Sequence, residues 1–217
     1  MKTIFFDLDN TLYDNTKYCL GAFLDISKYL ATKYNLDEEE TYQLLTKLWK
    51  EKTSMYSFLF DDLLNSLNLK EKIKNIIKIF NNHKIMNEQL YTDALPILRK
   101  LKQDGYKLGI ITDGDVERQK RKIQNLELHR YVDVIIYTKD IEPKPSIRPF
   151  IVALNMIESN AVDAIYVADN PYLDFEGSKK AGIQTVRVIR GEFKQIPNNN
   201  NIDFIIKNLN ELYHIIK

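Results

Sequence analysis

The chain has 217 residues, with 31 Lys and Arg against 30 Asp and Glu and a net charge of +1. That leaves room for one large domain, or a domain with an insertion, and no global field to recruit nucleic acid or an anionic membrane. A single cysteine, Cys19, excludes an internal disulfide framework and fits a reducing, cytoplasmic setting. Met1 leads straight into an apolar run without a basic leader or a small-residue cleavage site, and no stretch approaches the roughly 20 apolar residues of a membrane span. Neither export nor a membrane partner is expected.

The first β-rich run, residues 3–6, ends in "DLDNTLYDN", which places Asp7, Asp9 and Asp14 within eight residues. A strand that needed only solubility would alternate polar and apolar side chains instead. From 15 to 91 the pattern turns helical: "CLGAFLDISKYLATKY", "DEEETYQLLTKLWKEK", "SFLFDDLLNSL" and "KIKNIIKIFNN" read as four amphipathic helices. Asp93 then stands as a cap for "ALPILRKLKQDG", with Pro96 in the first turn and Gly105 at the left-handed end. Strands at 107–112, 132–137, 164–168 and 185–189, and a weaker one at 203–206, alternate with helices at 116–125, 147–157, 173–181 and 209–216. Their near-continuous apolarity suits a parallel sheet covered on both faces. The expected fold class is α/β: a Rossmann-like parallel sheet flanked by helices, residues 1–14 and 92–217, with an inserted α-helical cap, residues 15–91.

Ligands of open α/β sheets bind outside the carboxyl ends of the strands, so the polar residues at those ends belong together. They are Asp7 and Asp9 after the first strand, Thr112, Asp113 and Gly114 after the second, Lys144 in "EPKP" after the third, and Asp169 with Asp174 after the fourth. Four carboxylates against one ammonium would repel one another in a partly dehydrated cleft, and so call for a cation. An all-oxygen donor set favours Mg²⁺ over Zn²⁺. Thr112, the amides of "TDG" and Lys144 make a complementary donor set for a tetrahedral oxyanion such as phosphate. These are the parts of a phosphoryl-transfer enzyme.

With "DLDNT" at 7–11, "ITD" at 111–113, "KP" at 144–145 and "ADNPYLD" at 168–174 in order at four strand ends, the chain resembles the haloacid dehalogenase superfamily. The helical insertion falls where that family carries a C1 cap. The resemblance implies that Asp7 attacks phosphorus to form an aspartyl phosphate, while Asp9 protonates the leaving oxygen and then activates water. Thr112 and Lys144 would hold phosphate oxygens, and Asp7, the Asp9 carbonyl and Asp169 would hold Mg²⁺. Asn10, Asp113 and Asp174 would serve in phosphate binding or support the ligands from behind. Ala168 and Leu173 depart from the family's usual glycine and polar residue without removing a required carboxylate.

An acid at Asp9 favours a phosphomonoesterase over the dehalogenase and phosphonatase branches, because an alcohol leaving group needs a proton. The expected substrate is a small phosphorylated metabolite, such as a sugar phosphate or a nucleotide. A phosphomutase on the same core is the alternative, and a non-catalytic binding protein of this fold is the different-class reading. Tyr13, Asp14 and Thr16 are candidates to touch the leaving group. The lysine-dense runs at 70–84 and 120–122 read as solvated helix faces, and Arg187 and Arg190 as surface charge. His83, His129 and His214 lack ligand-like spacing, while Cys19, Tyr42, Trp49, Tyr56, Phe58 and Phe60 read as helix packing.

Overall fold

A computed structural model describes residues 2–86 and 90–216. Strand β1 (Thr3–Phe6) is followed by helices α1 (Asn15–Tyr34), α2 (Glu38–Lys52), α3 (Leu59–Ser66) and α4 (Ile73–Asn82). The chain then alternates through α5 (Ala94–Gln103), β2 (Lys107–Thr112), α6 (Val116–Asn125), β3 (Val134–Tyr137), α7 (Arg148–Ile157), β4 (Ala164–Ala168), α8 (Phe175–Lys180), β5 (Gln184–Val188) and β6 (Phe204–Ile206). It divides into two compact units: Met1–Asn15 with Ile85–Lys217, and Thr16–Lys84. No described helix is long and apolar enough to cross a membrane.

The first unit is an α/β sheet of order β3-β2-β1-β4-β5-β6, with every neighbouring pair parallel. Strand order reverses at β1: β2 and β3 lie to one side, and β4 to β6 to the other. The carboxyl ends of β1 and β4 therefore flank the topological switch point, where such sheets open a crevice. β1 is buried at every position, and β4 likewise, which is why both read as unbroken apolar runs. Phe6 pairs with Ile110 and Val167, and the Asp7 amide continues the ladder to the Val167 carbonyl at 2.9 Å. That register puts the polar residues after three strands at one level. Behind them, Phe5, Phe150, Tyr166 and Phe175 pack in a single apolar cluster.

Several local expectations change. The third strand begins at Val134, because Asp133 turns its carboxylate back to the Leu108 amide (2.8 Å) and to Lys102 (2.6 Å). The last helix is a 3₁₀ segment, Leu209–His214. Asp93 makes no side-chain cap; its carboxylate instead takes Arg190 at 2.7 and 3.0 Å and the Leu209 amide at 2.8 Å. Neither arginine is surface charge. Arg190 is held in that nearly buried ion pair, and Arg187, fully buried within β5, satisfies the carbonyls of Asp169, Phe193 and Ile196.

The second unit packs α1 to α4 around Phe23, Leu45, Trp49, Leu63 and Ile76. Phe23 stands edge-on to Trp49 with ring centroids 5.8 Å apart, and Asp37 caps α2 by accepting from the Glu40 amide at 2.8 Å. Cys19 is buried in this core as expected. Phe58 is not; it is 61% exposed, because it lies at the exposed N-terminal boundary of α3. The lysines between 70 and 84 face outward as their spacing implies.

Candidate active site

At the end of β1 the chain makes a tight turn. The Leu8 carbonyl accepts from the amides of Thr11, Leu12 and Tyr13 at 2.9 to 3.3 Å, and Asn10 adopts the left-handed conformation with φ of 57°. Gly191 lets this turn close: a Cβ there would stand 2.5 Å from that of Asn10. The turn gives Asp7 and Asp9 different partners although only one residue separates them.

Asp7 is 6% exposed, and its Oδ1 accepts from Lys144 Nζ at 2.7 Å. The same ammonium donates to Asp174 Oδ1 at 2.5 Å and to the Tyr166 hydroxyl at 3.1 Å. Tyr166 in turn donates to Asp174 Oδ1 at 2.9 Å, and Asp174 Oδ2 accepts the Asn170 amide at 3.0 Å. Asp174 stands at the N-terminus of α8 without making a side-chain cap; its Oδ1 orients Lys144 and its Oδ2 holds the Asn170 amide. Gly177 allows α8 to approach the Lys144 loop, since a Cβ there would lie 2.4 Å from the Pro145 carbonyl oxygen. Asp113 holds that loop from the other side, accepting from the Lys144 amide at 3.3 Å and from the Thr138 hydroxyl.

Asp9 faces α6. Its Oδ1 pairs with Lys122 Nζ at 2.5 Å, and its Oδ2 accepts from Gln119 Nε2 at 3.1 Å. Gln119 also donates to Thr112 Oγ1 at 2.7 Å, so one amide links the carboxylate to the hydroxyl expected to hold phosphate. Lys122 is fully buried, whereas Lys120 is exposed. The solvated-face reading of 120–122 thus fails for Lys122, because two residues along a helix turn a side chain to the opposite face.

Electrostatics divide the cluster. Burial pushes the Asp7 carboxyl up to about 8, with Asp174 and Asp9 adding to the rise and Lys144 opposing it. Asp169, 3% exposed, is driven well above the ordinary carboxylate range by burial, then by the charges of Asp174 and Asp7. Burial pulls Lys144 down, but Asp174 and Asp7 outweigh it and hold the ammonium protonated. With one lysine among them, these buried carboxyls favour their protonated form unless a further cation joins them. Asp169 Oδ2 in particular is buried with no hydrogen-bond partner. An orphaned, hard oxygen beside Asp7 suits a divalent cation such as Mg²⁺. Among the described residues no three His, Cys, Asp or Glu side chains gather into a ligand set. Asp7 and Asp169 are the side chains that would hold such a cation.

The fold thus joins Asp7, Lys144 and Asp174 directly, brings Asp169 and Asp113 within their field, and links Asp9 to Thr112 through Gln119. The Asn10 side chain packs on Gly191, and its Oδ1 makes no hydrogen bond. Tyr13 is fully buried beneath Lys122 Nζ, 4.9 Å from its ring centroid. Sequence reasoning missed Gln119, Lys122 and Tyr166. A signal existed for the first two: Val116, Gln119 and Ile123 fall on one face of α6, so polar residues on that stripe needed a partner.

A family model described as haloacid dehalogenase-like hydrolase matches residues 4–188. The glyceraldehyde 3-phosphate phosphatase of Methanocaldococcus jannaschii is 33% identical over 227 residues, covering 100% of this chain and 97% of that protein. The enzyme of the same name from Pyrococcus abyssi is 35% identical over 86% of this chain and 80% of its own length. Among solved structures, the HAD-hydrolase YfnB from Bacillus subtilis bound to magnesium superposes with a TM-score of 0.76 at 21% identity, over 100% of this chain and 98% of its own. Coverage from β1 through β5, and a relative alignable end to end, carry the conclusion that this chain belongs to the haloacid dehalogenase-like hydrolase family and is a phosphatase.

Proposed function

We propose that the protein is a Mg²⁺-dependent phosphomonoesterase that works through an aspartyl phosphate on Asp7, with a small phosphorylated metabolite as substrate. The observation that carries this reading is the Lys144 ammonium fixed by Asp174 and Tyr166 against Asp7. A nucleophilic carboxylate has to be ionised, and burial alone would keep this one protonated. Lys144 works against that, and a divalent cation held by Asp7, Asp169 and the Asp9 carbonyl would complete the compensation and neutralise phosphate charge.

In the first half-reaction, an Asp7 oxygen bonds to phosphorus as the ester P–O bond breaks, and Asp9 delivers a proton to the leaving oxygen. In the second, water attacks phosphorus, gives its proton to Asp9 and displaces Asp7, releasing inorganic phosphate. Thr112, the amides after β2 and Lys144 hold the phosphoryl oxygens. The helical unit, residues Thr16–Lys84, serves as a C1-type cap that selects among substrates. The glyceraldehyde 3-phosphate phosphatases among the relatives make a triose phosphate the first substrate to test, and the lone buried cysteine supports a cytoplasmic setting.

The test is phosphate release from glyceraldehyde 3-phosphate, other sugar phosphates and nucleotides, with and without Mg²⁺. Release that needs both Mg²⁺ and Asp7 supports the reading. Turnover that persists in Asp7→Asn, or after complete chelation, overturns the mechanism.

A further inference from the structure

We propose that Lys122 and Gln119 form a clamp on α6 that positions Asp9 as the proton acceptor for breakdown of the phosphorylated enzyme. The inference rests on the aspartyl-phosphate reading above and assigns positioning residues to its second half-reaction. A fully buried lysine with its ammonium 2.5 Å from Asp9 Oδ1 is a demanding thing to build. A buried ion pair is weak evidence for stability, since apolar side chains of similar volume often serve a fold as well. Its retention here calls for another reason.

Geometry supplies one. Lys122 and Gln119 are three residues apart and share a face of α6, which Asp115 anchors by accepting from the Arg118 amide at 2.9 Å. Each contributes a donor to a different Asp9 oxygen, and Lys122 is itself steadied by Asn15 Oδ1 at 3.1 Å and by the Tyr13 ring. A carboxylate with both oxygens accepting N–H donors has one orientation and acts as an acceptor. That is the state needed when water gives up its proton during attack on phosphorus: the water oxygen–phosphorus bond forms, the Asp7 oxygen–phosphorus bond breaks, and the proton passes to Asp9. Gln119 further couples Asp9 to Thr112, so the base and the phosphate cradle move as one unit.

The experiment is rapid-quench kinetics of the Mg²⁺-loaded protein with an aryl phosphate, whose good leaving group needs little acid assistance, comparing wild type with Lys122→Met. The expected result is a burst of about one phenol per site, a steady state roughly 10- to 100-fold below wild type, and a phosphoryl adduct on Asp7 that accumulates in acid-quenched mass spectra. Gln119→Met gives the same burst and adduct with a smaller loss, and carries the test if Lys122→Met does not fold. Wild-type rates in both variants overturn the clamp, as does slow turnover with neither burst nor adduct, which is what a packing defect produces. A wild-type protein that releases no phenol overturns the aspartyl-phosphate reading itself, and the clamp with it.

Discussion

Two enclosed carboxylates, one in each unit, show how differently the same side-chain chemistry is treated. Glu71 in the helical unit is saturated: Lys33, Tyr29, Tyr34, Asn75 and the Lys72 amide all donate to it, at 2.6 to 3.2 Å. The Lys33 hydrogen bond, the largest influence, holds its carboxyl well below the usual range. Asp169 in the sheet unit is buried with one oxygen unpartnered and its carboxyl pushed up. A saturated carboxylate ties helices together, whereas an unsaturated one keeps an oxygen open to a further donor or a cation. The same contrast extends to the cores, since the fully buried charged side chains, Lys122 and Arg187, sit in the sheet unit, and the helical unit is filled by Phe23, Trp49 and their neighbours.

That contrast can be broken in several ways. Asp7→Asn should lower phosphate release by roughly a thousandfold or more, as loss of a nucleophile does, while leaving the urea midpoint close to wild type. Equal activity in the two proteins would remove the chemistry from the sheet unit altogether. Lys144→Met strips the ammonium from two buried carboxylates and should cost about 3–5 kcal/mol in metal-free protein, with part of that loss recovered on adding Mg²⁺. For the helical unit, Leu63→Ala leaves a cavity worth about 2–5 kcal/mol, and here denaturation curves should show no recovery with Mg²⁺. Identical metal responses for these two variants would erase the distinction between the units.

Two pH effects sharpen it further. Asp7 keeps its proton in the fold up to about 8, but an unfolded aspartate loses it near 4. Raising pH between those values therefore ionises only the unfolded chain and erodes stability. A cation that replaces the proton should reverse this, so the Mg²⁺-induced rise in Tm should be larger at pH 8 than at pH 5; a rise independent of pH would argue against binding at Asp7. The smallest effect concerns Asp93. Burial raises its carboxyl, but the Arg190 hydrogen bonds and the Leu209 amide outweigh it and leave it lowered. Its contribution is thus present above the unfolded value and lost as pH falls through the folded one. Because the cost of burying the charge offsets most of the gain, that contribution is about 1 kcal/mol or less, and Asp93→Asn should flatten the acid limb of the stability curve by that amount.

Much of this protein could be read from the sequence, for definite reasons. The apolar runs of β1, β2 and β4 announced themselves because both sheet faces are covered, and Asp7, Thr112, Lys144 and Asp169 could be assembled because parallel strands end on one side of a sheet. These are local patterns joined by one topological rule. What only the tertiary structure decided were the partners. Asp93 looked like a helix cap until Arg190, 97 residues away, claimed it. Arg187 looked like surface charge until the loop at 193–198 folded over it and offered its carbonyls. Lys122 looked like one more solvated lysine, yet its ammonium reaches Asp9 across 113 residues of chain. Sequence pattern fixes which face of an element is apolar, because that depends on neighbours along the chain. It does not fix which buried charge meets which, because desolvation leaves each such group dependent on a counter-charge that only the packed chain brings within reach.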